Sequence, residues 1–293
     1  MHTPVQGPAR GRTAMVKRHR LSTRVWHWTN VLVLFVMLMS GLTILNAHPR
    51  LYWGEYGANA DPAWLEIGSR GETGFLRIGD LTIETTGFLG TWRDDKGFTV
   101  RRAFPPWATI PSNYDLALSR RWHLTFAWLF AASIALYALW SIGNGHLRRD
   151  LWPKRDELRP RHLWQDIKRH AKLDFPKGEA ALNYNTLQKL SYVVVLLLLL
   201  PVMVLTGMTM SPSLNASMGW MLDLFGGRQS ARSIHFICAF LLVLFILVHL
   251  IMVILAGPLN EIRSMITGWY RVPQPKYRPV PAPEPEPAQE AQP

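Results

Sequence analysis

The stretch IHFICAFLLVLFILVH, residues 234–249, decides the fold: it is an unbroken apolar run with one histidine at each end, His235 and His249. Ionisable side chains at bilayer depth are costly and usually functional. Fourteen residues of α-helix rise about 21 Å and complete almost four turns. His235 and His249 therefore share one helix face, near opposite sides of a hydrocarbon layer of roughly 30 Å. Working outward, the run extends over Ile234–Ala256, and three more like it occur at Val25–Leu45, Trp122–Ile142 and Leu190–Met210. Each approaches the ~20 residues that cross a bilayer. The expected fold is all-α, an integral-membrane four-helix bundle with a long extracytoplasmic loop between the first and second helices.

Charge sets the orientation. The formal net charge is +12, but its distribution argues against nucleic acid as the partner. Residues 1–24 carry Arg10, Arg12, Lys17, Arg18, Arg20 and Arg24 with no acid. The segment between the second and third runs is also basic on balance, with Arg148, Arg149, Lys154, Arg155, Arg159, Arg161, Lys168, Arg169, Lys172 and Lys177. The first connection, 46–119, has more acids than bases. The positive-inside rule then places both termini and the second connection in the cytoplasm of a bacterial inner membrane, with anionic lipid as a contact of the basic segments. The first run is too long for a signal-peptide core, and Asn46-Ala47-His48-Pro49 is a poor cleavage site. One cysteine, Cys238, excludes an internal disulfide framework, a thiolate-ligated iron–sulfur cluster and a C-x-x-C-H covalent haem site.

Residues 1–20 read as disordered, residues 21–272 as the bundle, and the Pro/Ala/Glu-rich residues 273–293 as a disordered tail. The first connection, 46–119, is long enough to be a functional cap or a small subdomain. It carries Tyr52, Trp53, Tyr56, Trp64, Trp92 and Trp107, and Leu81–Thr85 alternates weakly like a strand. The cytoplasmic connection, 143–185, includes an amphipathic helix near Arg161–Leu173. Met218–Phe225 reads as an interfacial helical turn before Gly226-Gly227. No internal repeat is evident.

Four of the ten histidines lie in the apolar runs or at their lips: His27, His123, His235 and His249. His2, His19, His48, His146, His162 and His170 fall outside them. The first helix runs outward and the second and fourth run inward. Depth then permits two cross-helix pairs, His27 with His249 on the cytoplasmic side and His123 with His235 on the other. Imidazole suits iron, zinc and copper alike. Zinc is disfavoured because neither pair gathers a third or fourth ligand. Two axial histidines suit haem and favour electron transfer over oxygen chemistry. The second ring nitrogen of each histidine should donate to a backbone carbonyl. Arg24, Arg120 and Arg232 each precede a ligand by three residues. They either pair with haem propionates or snorkel at helix ends. Gly41 and Gly207 let either a flat macrocycle or another helix approach closely.

Arg24-Val25-Trp26-His27-Trp28, Ser40-Gly41-Leu42, Arg121-Trp122-His123, Tyr184-Asn185-Thr186-Leu187-Gln188-Lys189, Leu205-Thr206-Gly207 and the His235/His249 spacing resemble the bacterial cytochrome b561 and nickel–iron hydrogenase-type cytochrome b family. That family includes membrane subunits of formate dehydrogenase and thiosulfate reductase. The motifs touch all four helices. The resemblance implies a four-helix protein with two haem b groups, exchanging electrons between quinone and a partner protein. It carries over His27 and His249 as ligands of one haem and His123 and His235 as ligands of the other. The long first connection departs from the shortest family members. The chain also looks like the subgroup found with extracytoplasmic molybdopterin oxidoreductases; a cytochrome c is another partner of suitable chemistry. Asn185 and Gln188 have capping-box spacing. With Tyr184 they also stand where donors could reach a quinone carbonyl. An electron-transfer subunit is the first reading; a self-sufficient superoxide:quinone oxidoreductase is the alternative, and a transporter or structural membrane protein a third.

Overall fold

The computed structural model describes residues 13–145, 152–154, 156–171 and 186–273. A short strand β1 (Thr13–Lys17) leads into helix α1 (Leu21–Asn46). Helix α2 (Leu116–Gly143) follows the first connection, and Asp115 caps it by accepting from the Leu118 N–H at 2.8 Å. Helix α3 (Pro160–Ala171) is the amphipathic segment of the second connection. The third apolar run is α4 (Thr186–Val194), a π-turn over Val195–Leu199, and α5 (Leu200–Met210). Pro201 explains that break: it has no N–H for the carbonyl one turn earlier, so the helix widens just before it. Two short helices, α6 (Pro212–Ser217) and α7 (Trp220–Leu224), cross to α8 (Arg228–Ala256). Gly257, at φ +112°, stops α8, and Pro258 opens α9 (Pro258–Thr267).

Four helical segments are long and apolar enough to cross a membrane: Leu21–Asn46, Leu116–Gly143, Thr186–Met210 and Arg228–Ala256. In lipid every backbone polar group must be satisfied within its own element, which a continuous helix achieves. The helices form two hairpins, α1 with α2 and α5 with α8. Val33, Phe130, Leu199, Leu200, Met203, Cys238 and Leu242 make one buried cluster between them. Leu32, Phe35, Leu136, Leu139, Leu244, Leu247 and Ile251 point outward and are exposed, as lipid-facing residues must be. Asn30 ties the first hairpin internally: its Nδ2 donates to the Trp26 carbonyl at 2.8 Å and to Ser133 Oγ at 2.9 Å.

The all-α expectation needs correcting in the first connection, which is largely β. A four-stranded antiparallel sheet has the order β2 (Arg50–Leu51), β3 (Leu65–Arg70), β4 (Thr73–Ile78), β5 (Leu81–Glu84). The hairpin β6 (Gly90–Arg93) and β7 (Thr99–Arg102) packs against it. Contact is close enough that a Cβ on Gly74 would lie 2.2 Å from the Leu89 carbonyl oxygen, so only glycine fits. This cap sits directly on α8. Gly54 accepts from the Gln229 and Ser230 N–H groups, each at 3.1 Å, at the first turn of α8, where helix donors lack intrahelical partners. Ser233 Oγ donates to the Tyr52 carbonyl at 2.5 Å and accepts from Trp64 Nε1 at 2.9 Å.

A second correction concerns residues 1–20. Thr13–Lys17 is ordered, because β1 pairs antiparallel with β8 (Trp269–Pro273). Arg18 meets Glu261 of α9 at 2.8 Å, and the Arg18 and His19 N–H groups donate to the Gly268 carbonyl. The two terminal segments thus close together across the end of the bundle opposite the cap. Residues 1–12 and 274–293 lie outside the described residues.

Candidate functional site

The four membrane histidines come together as two pairs at two depths. The His123 and His235 rings, from α2 and α8, have centroids 6.4 Å apart near the cap. The His27 and His249 rings, from α1 and α8, also have centroids 6.4 Å apart, near the latch formed by the β1–β8 pair and the Arg18–Glu261 contact. Two metal–imidazole bonds of about 2.0 Å, with each nitrogen about 1.2 Å from its ring centre, put the axial rings of one ion about 6.4 Å apart. Both pairs fit one bis-imidazole ion each. Among the described residues no three His, Cys, Asp or Glu side chains gather, so a closed tetrahedral zinc site does not fit.

The second ring nitrogens differ between the pairs. His123 Nδ1 is 3.1 Å from the Met37 carbonyl and 3.1 Å from Ser40 Oγ. His235 Nδ1 is 3.1 Å from the Met203 carbonyl and 3.1 Å from Thr206 Oγ1. Gly41 and Gly207 lie beside the same two rings. A Cβ on Gly41 would be 3.3 Å from His123 Cε1, and one on Gly207 would be 3.4 Å from His235 Cε1. Met37, Ser40 and Gly41 on α1 therefore correspond to Met203, Thr206 and Gly207 on α5. This is a short internal repeat of form M-x-x-[ST]-G, contrary to the expectation of none. The carbonyl partner expected for every ligand is present for His123 and His235 but not for the other pair. His27 Nδ1 is buried without a hydrogen-bond partner, and His249 has none among the described residues.

Around the latch-end pair the neighbours are aromatic. Phe245 stacks on His249 with centroids 6.3 Å apart, and Tyr192 of α4 contacts Phe245 edge-on at 6.4 Å. Gln188 is half-buried one turn before Tyr192. Tyr184 and Asn185 lie outside the described residues. Lys189 pairs with Glu157 at 2.8 Å, which fastens the second connection to the start of α4.

Residues 18–268 match the family model described as prokaryotic cytochrome b561. The chain belongs to the prokaryotic cytochrome b561 family. A similar protein from Azospira oryzae, described as putative protein-methionine-sulfoxide reductase subunit YedZ1, is 32% identical over 152 residues. That match covers 50% of this chain and 70% of the relative. No solved structure matches the chain.

Prokaryotic cytochromes b561 are membrane electron-transfer proteins that bind haem b. The residues present suit that group: paired imidazoles at axial spacing, and glycines where a side chain would crowd the ring. The three arginines are placed unequally. Arg24 donates to the Ile266 carbonyl at the end of α9, while its Nε is buried without an acceptor. Arg232 donates to the His48 carbonyl of the cap. Arg120 is exposed on α2. Sequence reasoning missed Ser40 and Thr206 as partners of the rings. The repeated M-x-x-[ST]-G would have revealed them.

Proposed function

We propose that this chain is a membrane cytochrome b holding two haem b groups, one between His27 and His249 and one between His123 and His235. It carries electrons between quinone and an oxidoreductase partner outside the cytoplasm. The observation that carries the reading is the recurrence of one ring separation, 6.4 Å, at both depths of the bundle. The haems supply reversible one-electron chemistry. The protein's part is to fix the imidazoles, exclude water and offer cations to anionic groups. The unpartnered Arg24 Nε is the best-placed donor for a propionate at the latch end; Arg232 and Arg120 serve the cap end.

Orientation follows the charge distribution: the termini and α3 face the cytoplasm and the cap faces outward, in a bacterial inner membrane. Quinone reaches the latch end through the lipid. Gln188 and Tyr192 of α4 supply donors for its carbonyls beside the Phe245–His249 stack; Tyr184 and Asn185, outside the described residues, are the further candidates the sequence offers. On the outer face the cap docks the partner. The relative's description makes a methionine-sulfoxide reductase the first partner to test; such a partner, or a molybdopterin enzyme or a cytochrome c, exchanges electrons through the His123/His235 pair.

The deciding experiment is haem-to-protein stoichiometry on the purified chain, combined with a redox titration of its visible spectrum. Two haems per chain with sharp reduced α and β bands are expected. His249→Ala should delete one redox component and His123→Ala the other. A stoichiometry of one, or loss of the same component in His27→Ala and His123→Ala, would overturn the reading.

A further inference from the structure

The two histidine pairs sit in the same bundle but have different outer partners. At the cap end each Nδ1 faces two oxygens, one carbonyl and one hydroxyl. The hydroxyls cannot be donors to the rings, because their protons are already committed. Ser40 Oγ donates to the Val36 carbonyl at 2.6 Å, and Thr206 Oγ1 to the Val202 carbonyl at 2.7 Å. Their lone pairs therefore face the imidazoles. Each ring must carry its proton on Nδ1 and share it between two acceptors, leaving Nε2 free as the ligand. Ser40 and Thr206 are both fully buried, so water does not compete for these bonds. At the latch end His27 Nδ1 is buried with no acceptor.

An acceptor on the far side of a ligating imidazole pulls its N–H proton and raises the basicity of the ligating nitrogen. Greater basicity stabilises the more positive oxidised metal. We infer that Ser40 and Thr206 are positioning residues that hold down the reduction potential of the His123/His235 centre, and of that centre alone. This rests on the two-haem reading above. The device is built twice, once on each hairpin, by the same five-residue pattern, Met37–Gly41 and Met203–Gly207. It acts through one hydroxyl per ligand, in addition to the carbonyls that fix the tautomer. The carbonyls alone orient the rings, so the hydroxyls are separable from ligand geometry.

The test is a potentiometric titration of Ser40→Ala, Thr206→Val and the double variant in the purified full-length cytochrome. Each keeps its carbonyl acceptor and nearly its shape, so both haems should remain bound with unchanged bands. The component that His123→Ala removes should shift to higher potential. The expected change is about threefold in its reduced-to-oxidised ratio per hydroxyl, consistent with the net worth of one neutral hydrogen bond. The double variant should approach tenfold, about 59 mV for one electron. Ser40→Thr and Thr206→Ser should restore the wild-type value. Unmoved potentials would mean that the hydroxyls only close the helix on itself, and the inference fails. A shift confined to the His27/His249 component, or one to lower potential, also overturns it. Failure of the two-haem reading would look different: the wild-type titration would show a single component, or His27→Ala and His123→Ala would delete the same one, whatever the hydroxyl variants do.

Discussion

At Gly41 and Gly207 the space beside a ring is set by the absence of one carbon. The rings cannot yield easily, because His123 and His235 are each held by two hydrogen bonds. Gly41→Val should therefore crowd His123, at the about 1–3 kcal/mol typical of overpacking. Bound haem should fall from two per chain toward one, and the surviving component should be the one that His249→Ala removes. Cys238 provides the contrast. It is buried in the apolar cluster between the hairpins, so Cys238→Ser should leave both components and their potentials in place, as read by the same titration. The four histidines were legible in the sequence because an ionisable group at bilayer depth demands a reason. Ser40 and Thr206 were not, because a hydroxyl in an apolar helix ordinarily bonds back to its own turn. These two do that as well.

Among the elements, the first turn of α8 depends on the cap. Ser233 Oγ joins Tyr52 and Trp64 of the cap to the helix and is fully buried. Ser233→Ala leaves an indole N–H and a carbonyl without partners. It should cost about 1–3 kcal/mol, seen as a lower thermal midpoint in detergent without change in the visible bands. The latch at the other end should respond to pH. His19 is pushed from 6.5 down to about 4, first by burial and then by the charges of Arg18, His27 and Arg24. Its neutral form is the one the latch accommodates. The released segment takes up a proton more readily, so His19's contribution is fully present above pH 6.5 and is lost as pH falls toward about 4. Hydrogen-exchange protection of Thr13–Lys17, corrected for intrinsic rates, should drop over that interval and stay level in His19→Gln. Of the cap strands, β5 (Leu81–Glu84) was foreshadowed by the weak alternation of Leu81–Thr85; the latch and the other cap strands were not legible. These strands run from two to six residues, too short for alternation to register clearly, and β1 pairs with a partner at the opposite end of the sequence. The apolar helices were plain by contrast, because length and hydropathy alone identify them. Their true starts, Leu21 and Leu116, precede the apolar residues by several positions: polar first turns are helical but not hydrophobic.

For the whole molecule, the asymmetry of basic residues predicts sidedness that a labelling experiment can read. Tyr56 on the cap is 81% exposed and Trp164 on α3 is 57% exposed. In a Cys238→Ser background, Tyr56→Cys should react with a membrane-impermeant maleimide applied from outside the inner membrane. Trp164→Cys should react only after lysis. The reverse pattern would invert the proposed path, with quinone and partner exchanging faces. Among the described residues one buried apolar cluster joins the two halves of the bundle, and lipid gives two apolar hairpins little reason to associate. Each histidine pair takes one ring from each half: His123 and His27 from the first, His235 and His249 from the second. Neither pair exists on a ribosome-bound chain that has released only its first hairpin. On the proposed ligation, haem loading is a late event in biogenesis, and the loaded pigment acts as the fastener between separately inserted pieces. A chain made in haem-starved cells should be cleared several-fold faster in a pulse-chase experiment, as expected when a ligand that binds only the assembled form is withdrawn.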